Sequence, residues 1–164
     1  MYDPWKDDGG ILTRSGGVSI FDPKEEQIVL FDIYVALTRT ARYNGHTEEF
    51  YSVAQHSVNL ANWIDQDDLR VHALLHDAAE AYMGDLVSPI KKYCYLKNPK
   101  NGLLERFDAV ESRLLDTIYR ALGLNPVGRP DLTAFERTFI DRDLQSSGSG
   151  LSWLDQLRSA GVAG

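Results

Sequence analysis

The sequence has one cysteine, no apolar run long enough to cross a bilayer, no internal repeat and no cluster of basic residues. A lone Cys94 cannot close an internal disulfide, which makes a reducing cytosol the simplest compartment. It reads more simply as a small buried hydrophobe than as a nucleophile. A membrane span needs about 18–20 consecutive apolar residues, and no stretch comes near that length. The opening run Met1-Tyr2-Asp3-Pro4-Trp5-Lys6-Asp7-Asp8 lacks the basic-then-apolar order of a signal peptide, so a cytoplasmic location is expected. Lys and Arg number 17 against 24 Asp and Glu, a formal net charge of −7, and the basic residues are scattered. That argues against polymeric DNA or RNA as a partner. A small anionic substrate stays allowed, because a bound cation and a pair of basic side chains can reverse the sign locally.

What is present describes one soluble domain. At 164 residues, with 43% hydrophobic and 25% charged residues, the chain is long enough for one real core and too short for two ordinary ones. A single domain over 1–164 is therefore expected. Residues 1–30 hold most of the strand and turn signals: Ile11-Leu12, a turn at Ser15-Gly16-Gly17, then Val18 to Phe21 closing on Asp22-Pro23. They predict a short N-terminal extended arm or hairpin. From there the pattern is helical. Helices are predicted over Phe31 to Ala41, from Ser52 with Gln55 completing a capping box, and over Asp68 to Met83 ending at Gly84. A short segment follows from Ser88-Pro89 to Tyr93. An amphipathic helix is predicted with Leu103, Leu104, Phe107, Val110, Leu114, Leu115, Ile118 and Leu122 as its stripe, and a last helix from Asp131 to about Gln145. The run Ser146-Ser147-Gly148-Ser149-Gly150 sets off a short tail, residues 146–164. The expected fold is all-α, a bundle of about six helices.

Four histidines, His46, His56, His72 and His76, are the natural place to look for chemistry. On the helix from Ser52, His56 lies three residues after Val53 and four before Leu60, on the inward stripe. That suits either a hydrogen-bonded core histidine or a ligand. On the next helix Val71, Leu74, Leu75, Ala78 and Tyr82 form the core stripe, and at about 100° per residue His76, Asp77 and Glu80 share the opposite side. That side is either a solvated face or the wall of a cavity. On the last helix Leu132, Phe135 and Phe139 define a buried stripe whose next turn arrives at Asp143, while Asp141 points away. A carboxylate on an apolar stripe is costly unless it is paired or bound to metal. His56, His76, Asp77 and Asp143 thus aim at possible common ground. Two imidazoles and two carboxylates suit a borderline divalent ion such as Mn, Co, Ni, Fe or Zn. His72 is the competing ligand, four residues before His76, but no Glu follows it as a zinc peptidase would require.

The run Leu74-Leu75-His76-Asp77-Ala78-Ala79-Glu80-Ala81-Tyr82-Met83-Gly84-Asp85 resembles the signature of HD-domain phosphohydrolases, as does Tyr51-Ser52-Val53-Ala54-Gln55-His56-Ser57. Arg42-Tyr43-Asn44-Gly45-His46 and Pro89-Ile90-Lys91 are similar to blocks of the small bacterial and phage branch of 5′-deoxynucleotidases and dATP triphosphohydrolases. The resemblance implies His56, His76, Asp77 and Asp143 as ligands of one divalent transition metal, with Mg accompanying the nucleotide as a further option. It implies Glu80 and Asp85 as the acidic residues that orient water and handle protons. Arg42 and Lys91 would contact phosphate, and Tyr43 would lie beside the nucleoside. No role follows for His46. Family members usually have a small residue where this chain has Arg142, and many continue for further helices. Part of the pocket wall is therefore expected to be absent or to come from a neighbouring subunit, as in a homo-oligomer.

The leading expectation is a nucleotide phosphohydrolase: a deoxynucleoside triphosphate triphosphohydrolase, with dATP as first candidate, or a 5′-deoxynucleotidase acting on monophosphates. A non-catalytic nucleotide or metal sensor on the same fold is the alternative from another class. A zinc peptidase built on His72 and His76 is a distant third.

Overall fold

The computed structural model describes residues 9–144 and 152–162, with 141–144 as helical backbone only. Eight α-helices are found there: α1 (Leu30–Leu37), α2 (Val53–Trp63), α3 (Asp67–Leu75), α4 (Glu80–Met83), α5 (Ser88–Lys91), α6 (Phe107–Ala121), α7 (Thr133–Leu144) and α8 (Trp153–Ser159). Two small antiparallel hairpins accompany them, β1 (Gly10–Leu12) with β2 (Gly17–Ser19), and β3 (Tyr95–Lys97) with β4 (Leu104–Arg106). The protein is a mostly helical bundle, as its sequence pattern predicts. None of the helices among the described residues is long and apolar enough to cross a membrane.

The core lies where α2 packs against α3, α7 and α8, and α1 against α2 and α4. Ile33, Leu37, Val53, Leu60, Leu74, Leu75, Leu114, Ile118, Trp153 and Leu157 are all buried in it. The N-terminal hairpin is tied to α1 through Asp32, whose carboxylate accepts from Thr13 Oγ1, Ser15 Oγ and the Ser15 N–H. A buried carboxylate is tolerable there because it satisfies the hairpin's donors.

Several elements differ from their predicted bounds. α1 stops at Leu37, where the Thr38 and Thr40 hydroxyls donate back to main-chain carbonyls of the last turn. Leu103 and Leu104 do not extend the α6 stripe. They are exposed, and Leu104 opens β4, paired with Lys97 across a hairpin whose turn contains Asn98-Pro99 and Asn101-Gly102. The helix predicted over Asp68 to Met83 is two helices, α3 and α4. Between them the bonding tightens to Ala78 N–H to Leu75 O and Glu80 N–H to Asp77 O, each spanning three residues. Gly84 (φ +79) then lets the chain leave α4 in a left-handed turn towards Asp85. The C-terminal piece expected as a tail contains α8, with Trp153 and Leu157 in the core. Residues 1–8, 145–151 with the Ser/Gly run, and 163–164 lie outside the described residues.

Candidate metal centre and active site

Two local devices aim the histidines. Ser52 caps α2: its Oγ accepts the Gln55 N–H at 3.1 Å, and Gln55 Oε1 accepts the Ser52 N–H at 2.8 Å. That sets the first turn, from which His56 points inward, 2% exposed. At the end of α3 the His76 ring folds back so that Nδ1 lies 2.7 Å from Ala73 O. A carbonyl only accepts, so Nδ1 carries the hydrogen and Nε2 faces the interior.

There His76 Nε2 meets His56 Nε2 at 3.2 Å, Asp77 Oδ2 at 3.0 Å and Glu136 Oε1 at 3.4 Å. His56 Nε2 lies 3.6 Å from Asp77 Oδ2 and 3.8 Å from Glu136 Oε1. Ligands about 2.0–2.2 Å from one ion stand roughly 2.8–3.6 Å apart at adjacent corners of a tetrahedron or octahedron. The observed spacings match or lie just above those edges, and His56, His76, Asp77 and Glu136 form a group that could hold one metal ion. The electrostatics agree. Burial opposes charge on His76, yet Asp77 and Glu136 push its imidazole up to about 10. Burial likewise opposes charge on Asp77, but His76 and Arg42 hold its carboxyl well below the usual range. Glu136 is drawn down to about 2, burial being outweighed by its bonds to His56 and His76. The carboxylates thus favour positive charge at the His76 edge, a demand that a proton or a metal ion meets.

Beside this group opens a cavity of about 460 Å³ lined by Arg42, Tyr43, Asp77, Glu80, Asp85, Lys91 and Glu136, with apolar wall from Leu86, Val87, Pro89 and Ile140. Arg42 Nη1 is 3.2 Å from Asp77, 3.4 Å from Asp85 and 3.9 Å from Glu80, and Nη2 is 3.6 Å from Glu136. Burial works against its charge, but Asp77, Asp85 and Glu80 raise its pKa further. The loop that presents it is unusual. Tyr43 (φ +55) and Asn44 (φ +53) are both left-handed, a costly state for a bulky tyrosine, and the Arg42 guanidinium lies 5.4 Å from the Tyr43 ring. Lys91 Nζ is gripped by both oxygens of Glu111 at 2.9 and 3.0 Å and lies 3.6 Å from Glu80. Glu80 is 2% exposed, and burial followed by Asp77 and Asp85 pushes its carboxyl well above the usual range. Its Oε2 has no hydrogen-bond partner among the described residues. A carboxyl whose neutral form is favoured there is suited to giving a proton to a bound group. A second cavity, about 300 Å³, adjoins the same cluster from another side, lined by His72, His76, Asp77, Tyr119, Arg129 and Glu136 among others.

The structure thus brings together His56, His76 and Asp77, and sets Arg42, Tyr43, Glu80, Asp85 and Lys91 around one cavity beside them. The side chain of Asp143 lies outside the described residues. Glu136 is a member of the group that the sequence reading missed, although it sits four residues after Leu132 and three before Phe139, on the stripe that led to Asp143. His72 is turned to Tyr119, its Nδ1 3.0 Å from the phenol oxygen and the rings stacked, and is not in the group. His46 is exposed and its main-chain N–H closes the Arg42 loop on Tyr43 O at 3.0 Å.

The chain is similar to the uncharacterized protein YfdR of Escherichia coli, 36% identical over 118 residues, which cover 71% of this chain and 60% of that protein. It is 38% identical over 82 residues to an uncharacterized protein of Rhodobacter capsulatus, covering 45% of this chain and 42% of the relative. It is 29% identical over 117 residues to the 4′-phosphooxetanocin A phosphatase of Priestia megaterium, covering 58% of this chain and 60% of that enzyme. The chain therefore spans between 42% and 60% of the length of these curated relatives. No family model matches it.

Proposed function

We propose that the protein is a metal-dependent phosphohydrolase of the HD type acting on nucleotides. The observation that carries this is the convergence of two imidazoles and two carboxylates beside a cavity with two cationic side chains. The phosphatase from Priestia megaterium supports the same reaction class. A divalent ion held by His56, His76, Asp77 and a carboxylate of α7 would acidify the attacking water and polarise a phosphoryl oxygen. Arg42 and Lys91 neutralise the remaining phosphate oxygens by charge-assisted hydrogen bonds. Glu80, whose burial favours its neutral form, lines the cavity where it could give a proton to the departing oxygen, and Asp85 keeps Arg42 in position. Tyr43 and the apolar wall at Leu86, Val87, Pro89 and Ile140 offer a surface for the nucleoside.

The number of phosphates is the finer point. A phosphorus carrying both a nucleoside and a polyphosphate branches two ways, and two cavities meet at Asp77 and Glu136. That favours a nucleoside triphosphate, and the phage-type blocks around Arg42 and Lys91 make dATP the first to try. The second reading, a 5′-deoxynucleotidase, is favoured by the relative's being a phosphatase. All nucleoside mono- and triphosphates should be screened with Mn²⁺ or Co²⁺ for released phosphate and triphosphate. Turnover of at least one, abolished by Asp77→Ala, is the expected result. No release from any of them sinks the assignment. Nucleotide or metal binding without turnover would make the protein a sensor.

A further inference from the structure

We infer that Trp153 is a positioning residue for the metal ligands, acting through the main chain of Leu74; this rests on the metal reading above. An α-helix leaves its last carbonyls without partners, and buried carbonyls need one. At the end of α3 those carbonyls have three different partners. Ala73 O receives the His76 ring Nδ1–H. Leu75 O receives the Ala78 N–H, which a continuing α-helix would have given to Leu74 O. Leu74 O receives the indole Nε1–H of Trp153, a buried contact spanning 79 residues of sequence. Trp153 itself is 2% exposed, on the first turn of α8.

Local preference runs the other way. The segment Ala78-Ala79-Glu80-Ala81 is made of strong helix formers and contains neither Gly nor Pro. The backbone at His76 (φ −57, ψ −34) and at Ala79 (φ −65, ψ −24) remains right-handed helical. A bond from Ala78 N–H to Leu74 O in place of Leu75 O would continue α3 as an ordinary helix. Three residues per turn in place of 3.6 is about 20° more rotation for each residue of the tight turn. Over His76 and Asp77 that difference decides where the imidazole edge and the carboxylate point. Because Leu74 O is already satisfied by Trp153, the bond of a regular helix would gain less there, having to share that oxygen with the indole N–H. A distant side chain thereby holds the tight turn against its own propensity.

The test compares Co²⁺ affinity, by calorimetry or by the visible absorption of bound cobalt, in the full chain and three variants. Trp153→Phe keeps a ring without the donor. Replacing Trp153 by its benzothienyl isostere, which keeps size and loses only the N–H, covers the case in which Trp153→Phe fails to fold. Val162→Ala is the control, since Val162 is buried in the same C-terminal segment without touching Leu74 O through a hydrogen bond. The donor-less variants should bind Co²⁺ about tenfold more weakly, the lower end of what outer-shell partners contribute. Val162→Ala should lower the melting temperature while leaving the affinity within about twofold of the parent. Unchanged affinity in the donor-less variants overturns the inference, and so does an equal loss in Val162→Ala, which would make the effect merely structural. If the unsubstituted protein binds no Co²⁺, Mn²⁺ or Zn²⁺, the metal reading itself fails and takes this inference with it.

Discussion

Residue by residue, the site is a problem of like charges made neighbours. Asp77, Glu80, Asp85 and Glu136 all reach within 4.0 Å of Arg42, and no single guanidinium can hold four ionised carboxylates in a buried place. The structure resolves this by a division of roles. Asp77 and Glu136 stay ionised against the imidazoles, and Glu80 is pushed towards its neutral form. Glu136 and Asp143 stand seven residues apart on α7, two turns of one helix. Glu136→Gln should weaken Co²⁺ binding at least about tenfold, the scale that even outer-shell changes reach. Asp143→Asn belongs in the same experiment. If it abolishes binding while Glu136→Gln leaves it intact, the fourth carboxylate is Asp143. At the cavity mouth, Lys91→Ala should raise KM for a phosphate substrate more than it lowers kcat, because it removes a contact to the bound anion rather than to the metal. An unchanged KM would remove Lys91 from the substrate site.

Elements matter because each ligand is aimed by the end of a helix or the turn next to it. His56 follows the capped start of α2, His76 and Asp77 occupy the tight turn after α3, and Glu136 lies in the first turn of α7. Helix ends are where backbone direction is set by side-chain hydrogen bonds rather than by the helical repeat. Ser52→Ala removes the cap that starts α2 and should cost about 1 kcal/mol, read as a lower urea midpoint with an unchanged slope. A midpoint equal to the parent's would mean that packing alone, through Val53 and Leu60, fixes the start of α2. The capping box was legible in the sequence because both its partners lie within four residues. The interruption of α3 was not, because its carbonyl partner is 79 residues away and the local residues favour a helix.

Over the whole molecule, the candidate ligands join elements far apart in sequence: α2, the turn between α3 and α4, and α7. An ion bound to all three favours the folded chain over the unfolded one by mass action. At a concentration 100 times its Kd, the gain is about 2.7 kcal/mol. For a domain of this size that corresponds to a rise in melting temperature of roughly 5–10 °C, reversed by a chelator. The shift should vanish in Asp77→Ala. A melting temperature indifferent to Mn²⁺, Co²⁺ and Zn²⁺ would exclude a site that ties the bundle together.

The helical class, the N-terminal hairpin, the cap of α2 and three of the four residues that meet in the candidate metal group were legible before folding. These follow from periodicity, short-range hydrogen bonding and the ordered blocks of the HD resemblance. Tertiary structure alone placed Glu136 beside the histidines, turned His72 away to Tyr119, and set Leu103 and Leu104 in a hairpin region rather than on a helix stripe. It also put Trp153 under the His76-Asp77 turn. The physical reason is range. A hydrophobic period or a capping box is satisfied within a few residues, whereas a metal centre or a buried carbonyl is satisfied by whatever the packed chain brings to it.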